Sequence, residues 1–329
     1  MLNEKQKLNP DVFSDDVARE YIRDGFGRGL VEVGEKDERV VALCADLAES
    51  TRTHWFKEKF PSRYVELGVA EQNLATVASG LANYGKIPFI TSYATFSPGR
   101  NNEQIRTTIS INDMPVKIAG AHAGISVGPD GATHQALEDI ALMRVQPNMT
   151  VLVPCDMEEA RKLVHAVVSY EHPVYFRFPR EKVPVITTTD SPFEIGKANV
   201  LWKSENPQVA VIACGALVHN ALVAARDLEE EGVGTIVVNN HSVKPLDTET
   251  ISAVARATGA VVTVEEHQVA GGMGSAVAEF LATEYPVPIE FVGVHDQFGQ
   301  SGTPEELIAY YKMDMPAIKK AVQKVITRK

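Results

Sequence analysis

Cysteine is scarce in this sequence: Cys44, Cys155 and Cys214 are the only three in 329 residues. They are odd in number, lie far apart, and form neither a CxxC pair nor a Cys/His cluster of zinc spacing, which argues against a disulfide framework and a structural zinc site. Long apolar runs are also missing. None approaches the ~20 residues needed to cross a bilayer, and the opening Met1-Leu-Asn-Glu-Lys-Gln-Lys is polar with no signal-peptide core after it. A reduced cytoplasm is the expected location, with no membrane contact. Positive charge is in deficit, with 32 Lys and Arg against 43 Asp and Glu, a formal charge of −11. No broad cationic field awaits nucleic acid or anionic lipid, so any phosphate must be met by locally placed Arg and His. Walker, HExxH, GxSxG and EF-hand motifs, short-period repeats and low-complexity segments are all absent.

What is present fits an α/β protein. The 44% hydrophobic content supplies a core, and the length suits two domains. Val40–Cys44, Pro88–Thr91, Val116–Ala119, Thr150–Val153 and Val174–Phe178 read as strands too uniformly apolar for one-sided exposure, hence parallel and covered by helices on both faces. Asp156 begins one such helix, with Ala160, Leu163, Val164, Val167 and Val168 as its buried stripe. After Pro184 the run Thr187-Thr-Thr-Asp-Ser-Pro-Phe-Glu reads as a linker. A second unit restarts with strand Val209–Ala213, helix Leu217–Glu231, strand Gly234–Val238, helix Thr248–Thr258 and strand Ala260–Val264. The expected domains are 1–188 and the smaller 189–329. The stretch from Pro304 reads as helical.

Two segments could carry chemistry. In the first, Leu74, Val77, Ala78 and Leu81 form a helical stripe that stops at Gly85, and Glu71 stands at its start. By default such a residue is a dipole-complementing surface acid. In the second, Ala121-His122-Ala-Gly-Ile-Ser-Val-Gly-Pro-Asp130-Gly-Ala-Thr-His134 follows a strand, so it lies at the carboxyl end of a parallel sheet, where open α/β folds bind ligands. Asp46 and Ser50 follow another strand end, with helix capping as their ordinary role. Arg23, Arg100, Arg106, Arg177 and Arg180 are candidate phosphate clamps, and Tyr93 and Phe96 are by default core aromatics. Gly271-Gly-Met-Gly lacks the dinucleotide spacing and reads as a tight backbone packing site.

Taken together, Cys44-Ala-Asp46-Leu-Ala-Glu-Ser50, Gly68-Val-Ala-Glu71-Gln, Gly128-Pro-Asp130-Gly-Ala-Thr-His134-Gln and Pro147-Asn-Met-Thr-Val-Leu-Val-Pro resemble the pyrimidine-binding half of a transketolase across most of residues 18–184. Lys244-Pro-Leu-Asp, Thr263-Val-Glu-Glu-His267, Gly271-Gly-Met-Gly and His295-Asp-Gln-Phe-Gly-Gln-Ser-Gly resemble that family's C-terminal domain. The first half of a full transketolase, with its metal-binding Gly-Asp-Gly…Asn motif, has no counterpart here. The chain therefore resembles the C-terminal subunit of a split transketolase.

That resemblance implies a set of roles. Glu71 matches the glutamate that hydrogen-bonds the aminopyrimidine of thiamine diphosphate and promotes proton removal from the thiazolium carbon. A carboxyl desolvated against apolar neighbours would keep a proton to share with that ring. Phe96 and Tyr93 match aromatics packing on the ring, and Asp46 an acid at the cofactor edge. Arg23, Ser50, His122 and Arg177 match the phosphate-binding set. Asp130 and His134 match residues contacting sugar hydroxyls, with His122 and His134 assisting proton transfer. Mg²⁺ or Ca²⁺ is implied in the partner, with this chain forming a homodimer core within a heterotetramer that acts on sugar phosphates. Two positions depart from the family: Ala70 stands where Arg is frequent, and Gly99-Arg100 replaces an aromatic near the pyrimidine pocket. A 2-oxo acid dehydrogenase β subunit, a deoxyxylulose phosphate synthase relative, and a non-catalytic regulatory partner of a transketolase are the alternatives.

Overall fold

Alternate residues of the same strands are buried on opposite faces, and this decides the architecture. A computed structural model describes residues 1–329. In it, Val40 and Ala42 pack with Phe89, Ala119 and Phe176 under the helices Ile22–Lys36 and Met157–Val168. Val41 and Leu43 pack with Ile90 and Ile118 under the helix Glu71–Asn83. Burial on both faces is why these strands lack polar alternation.

The first sheet has seven strands in the order Ser242–Lys244, Thr150–Leu152, Val174–Arg177, Lys117–Ala121, Ile87–Tyr93, Val40–Cys44, Tyr64–Glu66. All pair in parallel except Ser242–Lys244. The second sheet runs Ile289–Val294, Val261–Gln268, Val209–Ala213, Thr235–Asn239, Asn199–Lys203, with only the last antiparallel. Two mostly parallel, helix-covered domains are thus present, as expected. From Thr303, whose side chain closes a capping box with Glu306, the chain forms the helices Pro304–Tyr310 and Met315–Ile326.

Two segments pack across the expected 1–188 boundary. Ser242–Lys244, from the second half, completes the edge of the first sheet. Conversely, the first residues lie on the second domain: Leu201 accepts from the Asn3 amide, Val12 joins the second core, and Phe13 meets the Trp202 ring edge-on at 5.9 Å. A three-residue strand and a polar arm carry no hydrophobic period, so neither signals its partner in sequence. The linker is pinned rather than loose. Asp156 caps Glu159 and also accepts from the Ile186 amide and from the Thr187 amide and hydroxyl, at 2.6–2.8 Å.

The Gly271-Gly-Met-Gly segment is a close-packing site. Buried Glu265 accepts from the Met273 and Gly274 amides at 2.7 and 2.8 Å, and a Cβ on Gly272 would lie 2.3 Å from the same carboxylate. Here the amides at a helix N-terminus receive an internal carboxyl group, whose pKa burial raises to about 7.

Candidate active site

The parallel strands of the first sheet that contribute to the site do so at or just past their carboxyl ends, where the chain turns out of the sheet. Tyr64–Glu66 leads through a turn at Gly68 to Glu71, the first residue of its helix. Glu66 binds the amides of Asp46 and Gly68 at 2.8 and 3.0 Å, locking two neighbouring strand-end turns together. Asp46 sits in the left-handed region there, with an exposed side chain.

Glu71 is 1% exposed, so it is not a surface dipole acid. Its carboxylate is 2.9 Å from Arg100 Nη1. Its carbonyl accepts from Nδ2 of buried Asn101, which also donates to Ser97. The segment 97–101 therefore grips Glu71 at backbone and carboxylate alike. The expected surroundings of this acid are apolar; the structure adds a guanidinium.

From Arg100 a run of rings leads to the second end of the site. Arg100 Cζ lies 5.2 Å from the Phe96 centroid, and Phe96 stacks on Tyr93 at 6.1 Å. His134 meets Phe96 edge-on at 5.5 Å, and Tyr93 stacks on His122 at 4.2 Å. The Tyr93 hydroxyl donates to Ser50 Oγ at 3.2 Å. Arg23 Nη1 is 2.8 Å from His122 Nε2, and its guanidinium also reaches the Ser50 carbonyl. Glu71, Arg100, Phe96, Tyr93, His134, His122, Ser50 and Arg23 thus form one connected shelf, with an acid paired to Arg100 at one end and Arg23 beside His122 at the other. Phe96 and Tyr93 are partly exposed rather than core aromatics.

A guanidinium only donates, so His122 Nε2 accepts and Nδ1 carries the proton. That N–H is buried and has no protein partner. Burial, then the charges of Arg23, Arg180, Arg52 and His134, push the His122 pKa down to about 3. A neutral imidazole offering one donor among cations suits an anionic or hydroxylated ligand.

The loop carrying His122, Asp130 and His134 is held by the second domain. Glu266 accepts from the Ser126 amide at 2.6 Å and fills space that a Cβ on Gly124 would enter, its oxygen 2.3 Å from that position. Gly124, at φ 92°, also needs the left-handed backbone. Gln135 donates to the Gln300 carbonyl at 2.9 Å. The His295-Asp-Gln-Phe-Gly-Gln-Ser-Gly segment is thereby a splint for the histidine loop.

Arg177 is not on the shelf. It is 5% exposed, its Nε lies 2.9 Å from Asp139 Oδ2, and it donates to the carbonyls of Glu266 and Ala136. Tyr175 donates to the same Asp139. The side chain is consumed by an internal network between the domains and is removed from the phosphate set. Arg180, three residues on and beyond the strand, takes the rim position. Its Nη1 donates to Asp130 at 3.1 Å, and its charge bears on His122. Sequence reasoning had Arg180 among the candidate clamps without a role. It missed Asn101, Glu66, Arg52 and Glu266, whose bonds to Glu71, Asp46, Asp24 and Ser126 span 30, 20, 28 and 140 positions and leave no local pattern.

The His122 shift predicts a pH dependence. The unfolded imidazole takes a proton near 6.5 and the folded one only near 3, so stability from this group is full above pH 6.5 and is lost as pH falls. The limiting slope is about 1.4 kcal/mol per pH unit. Asn tolerates the left-handed backbone at φ 50°, so His122→Asn should fold and show a shallower loss of Tm between pH 6.5 and 4 than wild type. Equal slopes in differential scanning calorimetry would show that His122 charges freely in the folded chain.

Comparison with known proteins agrees with this architecture. Residues 21–185 match the family "Transketolase, pyrimidine binding domain" and residues 196–318 "Transketolase, C-terminal domain". A protein of Methanocaldococcus jannaschii described as a transketolase C-terminal section is 41% identical over 92% of this chain and 95% of its own length. Rat transketolase is 35% identical over 93% of this chain, which spans 49% of that protein. Among solved structures, a split gene transketolase in an inactive beta4 tetramer is 46% identical, superposes with a TM-score of 0.87, and is covered over 98% of its length against 93% of this chain.

Proposed function

Because the chain belongs to the transketolase family, we propose that it is the pyrimidine-binding and C-terminal subunit of a split, thiamine diphosphate-dependent transketolase. In this reading it acts in the cytoplasm, moving a two-carbon ketol unit from a ketose phosphate to an aldose phosphate only when joined to a separate N-terminal subunit. A homodimer of this chain forms the core of a heterotetramer. The observation that carries the reading is the shelf itself: a buried acid and a cationic, hydroxyl-binding end joined through one set of rings.

The residues fit the cofactor. Glu71 offers a buried carboxylate, joined through Arg100 to the partly exposed Phe96 and from there to Tyr93, and an acid and an aromatic face are what a planar, protonatable heteroaromatic ring needs. When bound, thiamine diphosphate supplies a carbon nucleophile and an electron sink for the ketol unit. Glu71 holds the proton shared with the pyrimidine nitrogen, Phe96 and Tyr93 hold the ring plane, and Asp46 stands at its edge. Arg23, Arg180, Ser50 and His122 bind the phosphate end of the sugar, while Asp130 and His134 bind hydroxyls and His134 moves protons. No three His, Cys, Asp or Glu converge here as a metal-binding group, and the reading assigns Mg²⁺ or Ca²⁺ to the partner.

The test is reconstitution. The purified chain alone should transfer no ketol unit, and addition of the N-terminal subunit with thiamine diphosphate and Mg²⁺ should restore transfer between phosphorylated sugars. Turnover by the lone chain at enzymatic rates overturns the split-subunit reading. A reconstituted complex that decarboxylates pyruvate and ignores phosphorylated sugars overturns the transketolase reading.

A further inference from the structure

Arg100 makes two contacts at once. One face lies over Phe96, 5.2 Å from the ring centroid, and Nη1 meets the Glu71 carboxylate at 2.9 Å. These are the contacts that the reading above assigns to the cofactor's aminopyrimidine. The resemblance is chemical as well as positional. A guanidinium is planar, presents a fork of N–H donors in that plane, and packs on aromatic faces. An aminopyrimidine is likewise planar and joins a carboxylate through its ring edge.

We propose that Arg100 is a placeholder for the aminopyrimidine: in the cofactor-free chain it fills the ring's place at Glu71 and Phe96, and the cofactor must displace it to engage either. The inference rests on the reading that Glu71 and Phe96 hold the cofactor. A physical need accounts for the device. A carboxylate as buried as Glu71 is costly without a partner, so a chain with its pocket open requires a temporary counter-charge. The exit is equally built in. The Arg100 side chain is half exposed and can swing into water, whereas the backbone beside it stays, because buried Asn101 ties the loop to Glu71 and Ser97. The Arg100 side chain moves while the Glu71 main chain keeps its position.

Gly99-Arg100 thereby gives the pocket a wall that can move. A ring there would add a fixed pocket wall, whereas an arginine adds a movable one that also neutralises Glu71.

The experiment has two readouts, neither of them turnover. In the chain alone, Arg100→Ala should lower Tm by about 2 °C or more, and that loss should disappear in a Glu71→Gln background, where no charge awaits a partner. In the complex with the N-terminal subunit and Mg²⁺, Arg100→Ala should tighten the Kd for thiamine diphosphate by about three- to tenfold in titration calorimetry, since a competing contact is gone. Glu71→Gln should weaken it. Arg100→Lys, which keeps the charge without the planar fork, should change Kd in the same direction by less and serves if the alanine variant folds poorly. An unchanged or weaker Kd in the Arg100 variants, with Glu71→Gln still weakening binding, overturns the placeholder and leaves the functional reading standing. If Glu71→Gln also leaves Kd unchanged, the functional reading fails and the placeholder with it.

Discussion

Glu71→Gln, assayed with the partner subunit and thiamine diphosphate, should cut turnover by about 100- to 10,000-fold while the subunit remains folded. The argument starts from burial. At 1% exposure, the carboxylate meets the Arg100 guanidinium, and its backbone is pinned by Asn101, so an isosteric amide will occupy the same place. What the amide cannot do is share a proton with a ring nitrogen, the one step the reading requires of this residue. The direct measurement is exchange of the thiazolium proton for deuterium, followed by NMR, which isolates proton removal from substrate binding. Exchange at the wild-type rate in the variant would reduce Glu71 to a charge at a helix start.

The second large effect separates two arginines that stand three residues apart. Arg177→Ala should destabilise the chain by about 3–5 kcal/mol, because it strands Asp139 as an uncompensated charge in a dry network with Tyr175. Urea unfolding measures this directly, and a variant as stable as wild type would show that the pair contributes nothing. Arg180→Ala should leave stability within about 0.5 kcal/mol, since the side chain is a third exposed and its partners are on the rim. In the reconstituted complex it should instead raise KM for phosphorylated sugars by about tenfold or more, with hydroxypyruvate, which carries no phosphate, affected far less. Equal losses for both donors would remove Arg180 from the phosphate end.

That exchange of roles marks how far the sequence could be read. The apolar runs identified the parallel strands because doubly buried strands have no polar alternation, and Val40–Cys44 and Val209–Ala213 end where their patterns end. The stripe of Leu74 and Ala78 fixed the helix that Glu71 opens, while its place in a site came only from the resemblance; the histidine loop stood out because two histidines and an acid follow a strand among glycines. Arg177 and Arg180 could not be told apart from composition. Whether an arginine is the last residue of a strand, turned inward to an acid 38 positions earlier, or stands past the strand at the rim depends on where the ladder stops, and strand ends are weakly encoded. Arg100 presented a different obstacle. Its meaning comes from two neighbours, Glu71 and Phe96, that touch it only after the helix and the loop have been brought together. Glu266 is more remote still, supporting a loop some 140 residues earlier from another sheet.

The amino-terminal arm has a consequence for how the molecule comes into being. Val12 and Phe13 are made well before the surfaces they settle on, Trp202, His219 and Arg226, which follow some 200 residues later. Thr150–Leu152 likewise waits for Ser242–Lys244 to cover its open side. During synthesis the nascent chain therefore carries an unclaimed arm, and Thr150–Leu152 lacks its outer neighbour, until residue 244 has been made. Neither half of the gene, cut at the linker, would encode a finished object. The arm would be left attached to the half that does not receive it, and the outer side of Thr150–Leu152 would stay exposed as a template for another copy.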